Sequence, residues 1–149
     1  VAATPQHPVK FYQQFAPGLP IVVGQTYALL SEAQAALVTS GTATLETALL
    51  KTPQVVCYKT SGLSFAIAKR VVKLAYISLV NLIMDKKVVA ELIQNQCTQY
   101  DLETALSHVL SDEGRSQILV DYETLHQKLG GGGASQTTAE LIYKRTHEN

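Results

Sequence analysis

The chain has 149 residues with 12 basic and 12 acidic side chains, so its formal charge is zero and no overall field draws it toward nucleic acid. A hydrophobic content of 46% against 16% charged residues fits one folded, well-buried α/β domain and excludes a disordered chain. Two cysteines, Cys57 and Cys97, are too few for a disulfide scaffold or a cysteine-rich metal site, which fits a reduced, cytoplasmic setting.

No signal peptide is visible, and no apolar run reaches membrane-spanning length without a charge. The first residue is Val1, not Met. Val1-Ala2-Ala3 reads as the tail of a strand followed by a Thr4-Pro5 turn, so the expectation is a piece of a longer chain, interrupted inside the fold.

Taken in order, residues 8–15 predict a short helix with Pro8 near its first turn, broken by Pro17-Gly18. Pro20-Ile21-Val22-Val23-Gly24 reads as a buried strand, 27–34 as a short helix and 35–39 as a charge-free β-prone strand. Residues 42–50 have helical spacing, ended by Thr52-Pro53, and Gln54-Val55-Val56-Cys57-Tyr58 is another short apolar strand. Strands alternating with helices across short loops predict βαβ units and a parallel sheet, and the near-continuous apolar runs predict cover on both faces.

From Leu63 onward helices dominate the expectation. Residues 64–74 place Lys69, Arg70 and Lys73 within one arc of a helix. Ala75-Tyr76-Ile77-Ser78-Leu79 reads as a last strand, with Asn81 in the loop at its carboxyl end. Helices are expected over 88–96, 101–110 and 113–129. A glycine hinge at 130–133 and a terminal helix over 137–145 then form a unit of their own, 130–149, beside a nucleotide-binding domain of 1–129.

The most informative stretch is Ser40-Gly41-Thr42-Ala43-Thr44-Leu45-Glu46, a glycine turn between strand and helix. Backbone N–H groups at a helix start lack partners, and with the positive end of the helix dipole they suit a phosphate. Glu46 lies about one turn further, where a carboxylate can accept hydrogen bonds from sugar hydroxyls. The plain alternative is an N-cap by Ser40 or Thr42, with Glu46 in a loose capping box. In open α/β sheets ligands sit beyond the carboxyl ends of the strands. The turn after Val38, the loop with Asn81 and the segment Gly24-Gln25-Thr26-Tyr27 all fall at such expected ends, which suits a nucleotide.

Other chemistry is missing. The chain has no Walker sequence, no G-x-G-x-x-G and no G-x-S-x-G, and 130–133 is a glycine run without a phosphate-type turn. His7, His108, His126 and His147 are scattered without ligand spacing, so no metal is expected. Cys57, inside an apolar strand, reads as a packed residue rather than a nucleophile. The Lys69, Arg70, Lys73 stripe reads either as a solvated helix face or as a weak, transient contact for anionic lipid or phosphorylated substrate.

At this point several motifs together resemble a known family. Ser40 to Leu49, then Pro53-Gln54-Val55-Val56-Cys57-Tyr58-Lys59, Ala68-Lys69-Arg70-Val71-Val72-Lys73, Ile77-Ser78-Leu79-Val80-Asn81-Leu82 and Glu91-Leu92-Ile93-Gln94 look like lipid-A-disaccharide synthase. The resemblance is strong over 25–106 and weaker on the flanks.

It implies a GT-B glycosyltransferase made of two Rossmann-like halves, this chain being the C-terminal, nucleotide-sugar-binding half. Such enzymes transfer 2,3-diacylglucosamine from its UDP carrier to 2,3-diacylglucosamine 1-phosphate, with inversion and release of UDP, at the cytoplasmic face of the inner membrane of Gram-negative bacteria. No cofactor or metal is implied. Matched by motif, Ser40, Gly41 and Thr42 would meet the diphosphate, Glu46 the ribose hydroxyls, and Asn81 would border the donor site. Gln25, Tyr27, Glu91 and Gln94 are further candidates, the last two on an expected Glu-Leu-x-Gln helix.

The chain departs from the family pattern at Val80, where proline is usual, and at Met84-Asp85-Lys86-Lys87, where a Gly-basic-acid run is frequent. The Gly-Ser-Arg loop expected at the start of this half is absent from the sequence. So are the acceptor site and the general base, which belong to the other half. The chain alone is therefore expected to bind UDP weakly without turnover. A homodimer is a further expectation, since helices that follow a flexible hinge can swap between protomers. Two other readings remain: another UDP-sugar GT-B enzyme (a peptidoglycan glucosaminyltransferase or a UDP-GlcNAc epimerase), or a non-catalytic α/β module pairing through the sheet edge at Val1.

Overall fold

Two parallel ladders carry the fold, and both point their carboxyl ends into loops that bear candidate site residues. The computed structural model describes residues 1–39, 41–61, 75–130 and 133–147. Strand β1 (Ala2–Ala3) pairs in parallel with β2 (Val22–Val23), with Ala2 opposite Val22 and Ala3 opposite Val23. Helix α1 (Val9–Gln13) lies between them, with Pro8 as its N-cap.

The second ladder has the order β3 (Ala36–Thr39), β4 (Gln54–Tyr58), β5 (Ala90–Ile93), all parallel. Helix α2 (Thr26–Glu32) leads into β3, and α3 (Thr42–Leu49) makes the crossover from β3 to β4. This is the Rossmann-like open parallel arrangement that the alternating pattern predicts. Parallel neighbours cannot be joined by a tight turn, so a helix fills each connection.

The centre of the core is β4. Val55 and Val56 are both 0% exposed, and successive strand side chains point to opposite faces, so the sheet is covered on both sides. Ala48 of α3, Val80 and Met84 of α4 (Leu79–Met84), and Val109 of α5 (Gln99–Leu110) join that core. Ile118, Tyr122 and Leu125 of α6 (Asp112–Lys128) complete it. A buried polar contact ties three elements together. Gln54 Nε2 on β4 donates to the Thr44 carbonyl of α3 at 2.8 Å and to the Tyr122 hydroxyl of α6 at 3.1 Å.

The α5–α6 corner is tight. Ser111 caps α6 by accepting from the Gly114 N–H at 3.1 Å, with Asp112 and Glu113 in the favoured first turn. A Cβ on Gly114 would lie 2.1 Å from the His108 carbonyl oxygen, so only glycine lets the helices meet this closely. Helix α7 (Ala134–His147) ends the chain with Leu141, Ile142 and Tyr143 exposed. No helix among the described residues is long and apolar enough to cross a membrane.

Two expectations are corrected. Residues 75–79 do not form a strand; they bend into α4, whose N-cap is Ser78, so Asn81 lies inside a helix and not in a post-strand loop. The Ser78 hydroxyl accepts from the Asn81 N–H, and this local capping competes successfully with a short β-prone run. Residues 88–96 are not a helix. They form β5 and a 3-10 turn at Gln94–Gln96: Val88 and Val89 are buried, and Ala90 to Ile93, half-buried throughout, pair in parallel with β4. Glu91 therefore sits on a strand, and Gln94 just beyond it. The helix expected over 64–74, with Lys69, Arg70 and Lys73, lies outside the described residues, as do Ser40, Gly131 and Gly132.

Candidate functional site

An open cleft of about 430 Å³ lies at the carboxyl ends of β1 and β2. Its walls are Ala3, Thr4 and Pro5 after β1, the run from Gly24 to Ala28 after β2, and Glu46 from α3. Three of the candidates, Gln25, Tyr27 and Glu46, thus come together. A smaller apolar notch of about 180 Å³ continues from it between Tyr27, Glu46, Leu49 and Leu50.

Thr4 and Pro5 escaped the sequence reading as site residues, although the signal was there. A Thr-Pro turn straight after an apolar strand is itself a strand's carboxyl end, the place where α/β sheets hold ligands. Tyr12 of α1 fixes this wall: its hydroxyl accepts from the Thr4 N–H at 3.1 Å and donates to the Thr4 carbonyl at 3.2 Å.

Glu46 faces the cleft from the second turn of α3, half-buried. At the start of that helix Gly41 is the N-cap, with φ 149° and ψ −163°, a conformation nearly confined to glycine. Gly41 has no side chain with which to cap the helix, no other side chain among the described residues does so, and its first turn carries no acidic residue. Thr42 is its exposed first residue, so Thr42 does not serve as the N-cap. The Thr44 hydroxyl donates back to the Gly41 carbonyl at 2.8 Å instead of serving a helix N–H. Open space lies in front of Gly41, with nothing within 4 Å of where a Cβ would stand. Gly41 and Thr42 do not line the cleft themselves; they lie at the amino end of the helix that supplies Glu46.

Asn81 and Glu91 are brought together elsewhere, at β5, and Gln94 follows just beyond that strand. Asn81 is 0% exposed, and its Oδ1 accepts from the Val88 and Val89 N–H groups at 2.8 and 2.9 Å. Its Nδ2 donates to the Val89 carbonyl and to Glu91 Oε1, each at 2.9 Å. The Glu91 carboxylate also accepts from the N–H groups of Ile77 and Ser78 at 3.0 and 2.9 Å, and from the Ser78 hydroxyl at 2.7 Å. Four donors on one carboxylate make Glu91 an anchor for the 77–78 bend. Asn81 and Glu91 also border a hollow of about 190 Å³ with Tyr76 and Lys87. Gln94, at φ 52°, turns its amide onto Thr60, accepting from the N–H at 2.9 Å and donating to the carbonyl at 3.1 Å.

Comparison with known proteins gives one consistent result. The family model for lipid-A-disaccharide synthetase matches residues 7–144. A lipid-A-disaccharide synthase of Psychromonas ingrahamii is 46% identical over 108 residues, 71% of this chain and 28% of its own length. One from Hahella chejuensis is 46% identical over 115 residues, 75% of this chain and 29% of its own length. One from Syntrophus aciditrophicus is 40% identical over 126 residues, 84% of this chain and 33% of its own length. The chain thus spans about a third or less of the length of these curated relatives. With the family model covering nearly all of the sequence and the open parallel α/β architecture in place, the chain belongs to the lipid-A-disaccharide synthase family of glycosyltransferases.

Proposed function

We propose that this chain is the donor-binding part of an enzyme that transfers 2,3-diacylglucosamine from its UDP carrier to 2,3-diacylglucosamine 1-phosphate, releasing UDP. The observation that carries the reading is the placement of Glu46. It enters a cleft at the carboxyl ends of β1 and β2 from α3, whose amino end opens on Gly41 and is uncapped among the described residues. A diphosphate at that end would meet free N–H groups and the positive end of the helix dipole, and the glycine leaves room for close approach. Ser40 and Thr42 are the neighbours of Gly41 in the sequence. One turn along, about 6 Å, Glu46 is spaced for the ribose hydroxyls that follow the phosphates. Gln25 and Tyr27 face it from the other wall.

In transfer, the same uncapped helix end would offset the charge that builds on the departing UDP, as preorganised dipoles do in a partly dry cleft. Acceptor binding and the general base are assigned to the remainder of a protein of the relatives' length, so this chain by itself binds donor without turnover. The reading places the enzyme at the cytoplasmic face of the inner membrane, with Lys69, Arg70 and Lys73 as its weak contact with anionic lipid.

Calorimetric titration with UDP tests the proposal. Binding by the wild-type chain should weaken about tenfold or more in Glu46→Ala, the equivalent of a lost pair of charge-assisted hydrogen bonds. Absence of UDP binding by the folded wild-type protein, or equal affinity in the two, overturns the donor-site assignment.

A further inference from the structure

The notch beyond Glu46 differs in character from the cleft it continues. It is bounded by Tyr27, Glu46, Leu49 and Leu50, so one carboxylate faces an aromatic ring and two leucines. The cleft itself adds Thr4, Gln25 and Thr26, and Tyr27 and Glu46 border both hollows. Tyr27 is 58% exposed and Leu49 43%, with Leu50 half-buried beside them. Exposed apolar side chains scattered singly are ordinary. Here they gather around one hollow that opens from a polar cleft, the combination that marks a ligand seat.

The electrostatics of α3 limit what the notch can hold. Leu49 and Leu50 stand at the carboxyl end of the helix, where the dipole is negative, and the Leu50 N–H is already spent on the Glu46 carbonyl at 3.1 Å. With the Glu46 carboxylate on its rim as well, the notch repels a phosphate and suits a neutral, flat group. Its volume of about 180 Å³ is below that of a pocket for a whole ligand, so it takes one part of a molecule. Leu49 lies three residues beyond Glu46 on the same side of the helix, about 4.5 Å further along its axis. With the diphosphate at Gly41 and the ribose at Glu46, the next group in line is the base. The acyl chains belong to the sugar, on the other side of the diphosphate in the donor's covalent order, and so lie away from the notch.

We propose that the notch seats the uracil ring of the donor, its face stacked on Tyr27 and its edge against Leu49 and Leu50. This rests on the donor-site reading above and adds to it the seat of the base. Tyr27 stands in the first turn of α2, and its carbonyl accepts from the Ser31 hydroxyl at 2.9 Å, so a helix rather than a loop presents the ring. Stacking uses the face of the ring and leaves its hydroxyl free to meet water. Tyr27 thus holds the nucleoside end of the donor while the amino end of α3 holds the phosphates.

The test is titration with UDP of the wild type, Tyr27→Ala, Tyr27→Leu and Tyr27→Phe, each checked for folding by circular dichroism. The Tyr27 side chain is largely in solvent, so all three variants should fold. Tyr27→Ala should bind UDP about tenfold more weakly, as the loss of one stacked base predicts. Tyr27→Leu should lose nearly as much, because it keeps bulk without a ring, and Tyr27→Phe should bind like the wild type. Saturation-transfer NMR on the wild type gives a second reading, independent of any variant. Irradiating the protein methyl groups should saturate the uracil H5 and H6 protons more than the ribose H1′. UDP binding that weakens in Glu46→Ala but not in Tyr27→Ala overturns this inference and leaves the donor site standing. So does a Tyr27→Phe variant that falls as far as alanine, since the hydroxyl and not the ring would then make the contact. Uracil protons saturated less than H1′ overturn it too. No UDP binding by the folded wild type overturns the donor site and this inference together.

Discussion

Asn81 and Glu91 are joined by a 2.9 Å hydrogen bond from amide to carboxylate, and the pair locks α4 onto β5 from inside the core. Every polar atom of the Asn81 side chain is used, two bonds on each end. Removing the amide strands the Val88 and Val89 N–H groups, the Val89 carbonyl and one Glu91 contact together. Buried groups left without partners cost about 1–3 kcal/mol each before relaxation, so Asn81→Ala should destabilise the protein by about 3 kcal/mol or more. Urea denaturation measures this as a lower midpoint at unchanged slope. A midpoint within error of wild type would show that the network carries no stability.

Gly41→Ala separates backbone strain from steric clash. The added methyl meets open space, yet φ 149° is a conformation L-residues avoid, so the cost is about 1–3 kcal/mol through the backbone alone. The strand-to-helix turn should then shift, and UDP affinity should fall together with stability. Thermal melts with and without UDP check both effects. An alanine variant that melts and binds like wild type would mean that the turn needs no glycine.

Much of the fold was legible because its signals are local. The 54–58 strand is found with the same bounds in the structure, since a charge-free β-branched run ended by Thr-Pro on one side has few alternatives. The helices α5 and α6 were legible from their periodicity, with Thr98 and Ser111 as caps. Residues 75–79 and 88–96 were misread for one shared reason. Their conformations depend on each other: Glu91 on β5 accepts the N–H groups of Ile77 and Ser78, and Asn81 on α4 accepts those of Val88 and Val89. Such long-range bonds leave no periodic trace in either segment, so tertiary context overrides propensity there. At the cleft, Glu46, Gln25 and Tyr27 were legible from the strand–turn–helix grammar. Thr4 had a local signal, its turn straight after an apolar strand, but its place in the cleft wall depends on β1 pairing with β2 and on the Tyr12 hydroxyl.

Tyr122 gives the fold a distinct response to alkali. Its ring is 2% exposed, and burial raises its phenol well above the usual tyrosine value, with the hydrogen bond from Gln54 pulling back only partly. A raised folded-state value means that the folded protein holds this proton where the unfolded chain releases it. The contribution is therefore fully present below about pH 10 and is lost as pH rises beyond it, at up to about 1.4 kcal/mol per pH unit. Tyr122→Phe should cost about 1 kcal/mol near neutrality, where the hydrogen bond with Gln54 is lost. It should then lose less stability than wild type on going to high pH, because phenylalanine has no proton to release. Urea denaturation of both proteins at about pH 8 and about pH 11 reads the difference directly, since the two differ only in this side chain. The gap between the two should narrow or invert at the higher pH. A gap that stays constant would show that the buried phenol ionises as readily in the folded protein as in the unfolded chain.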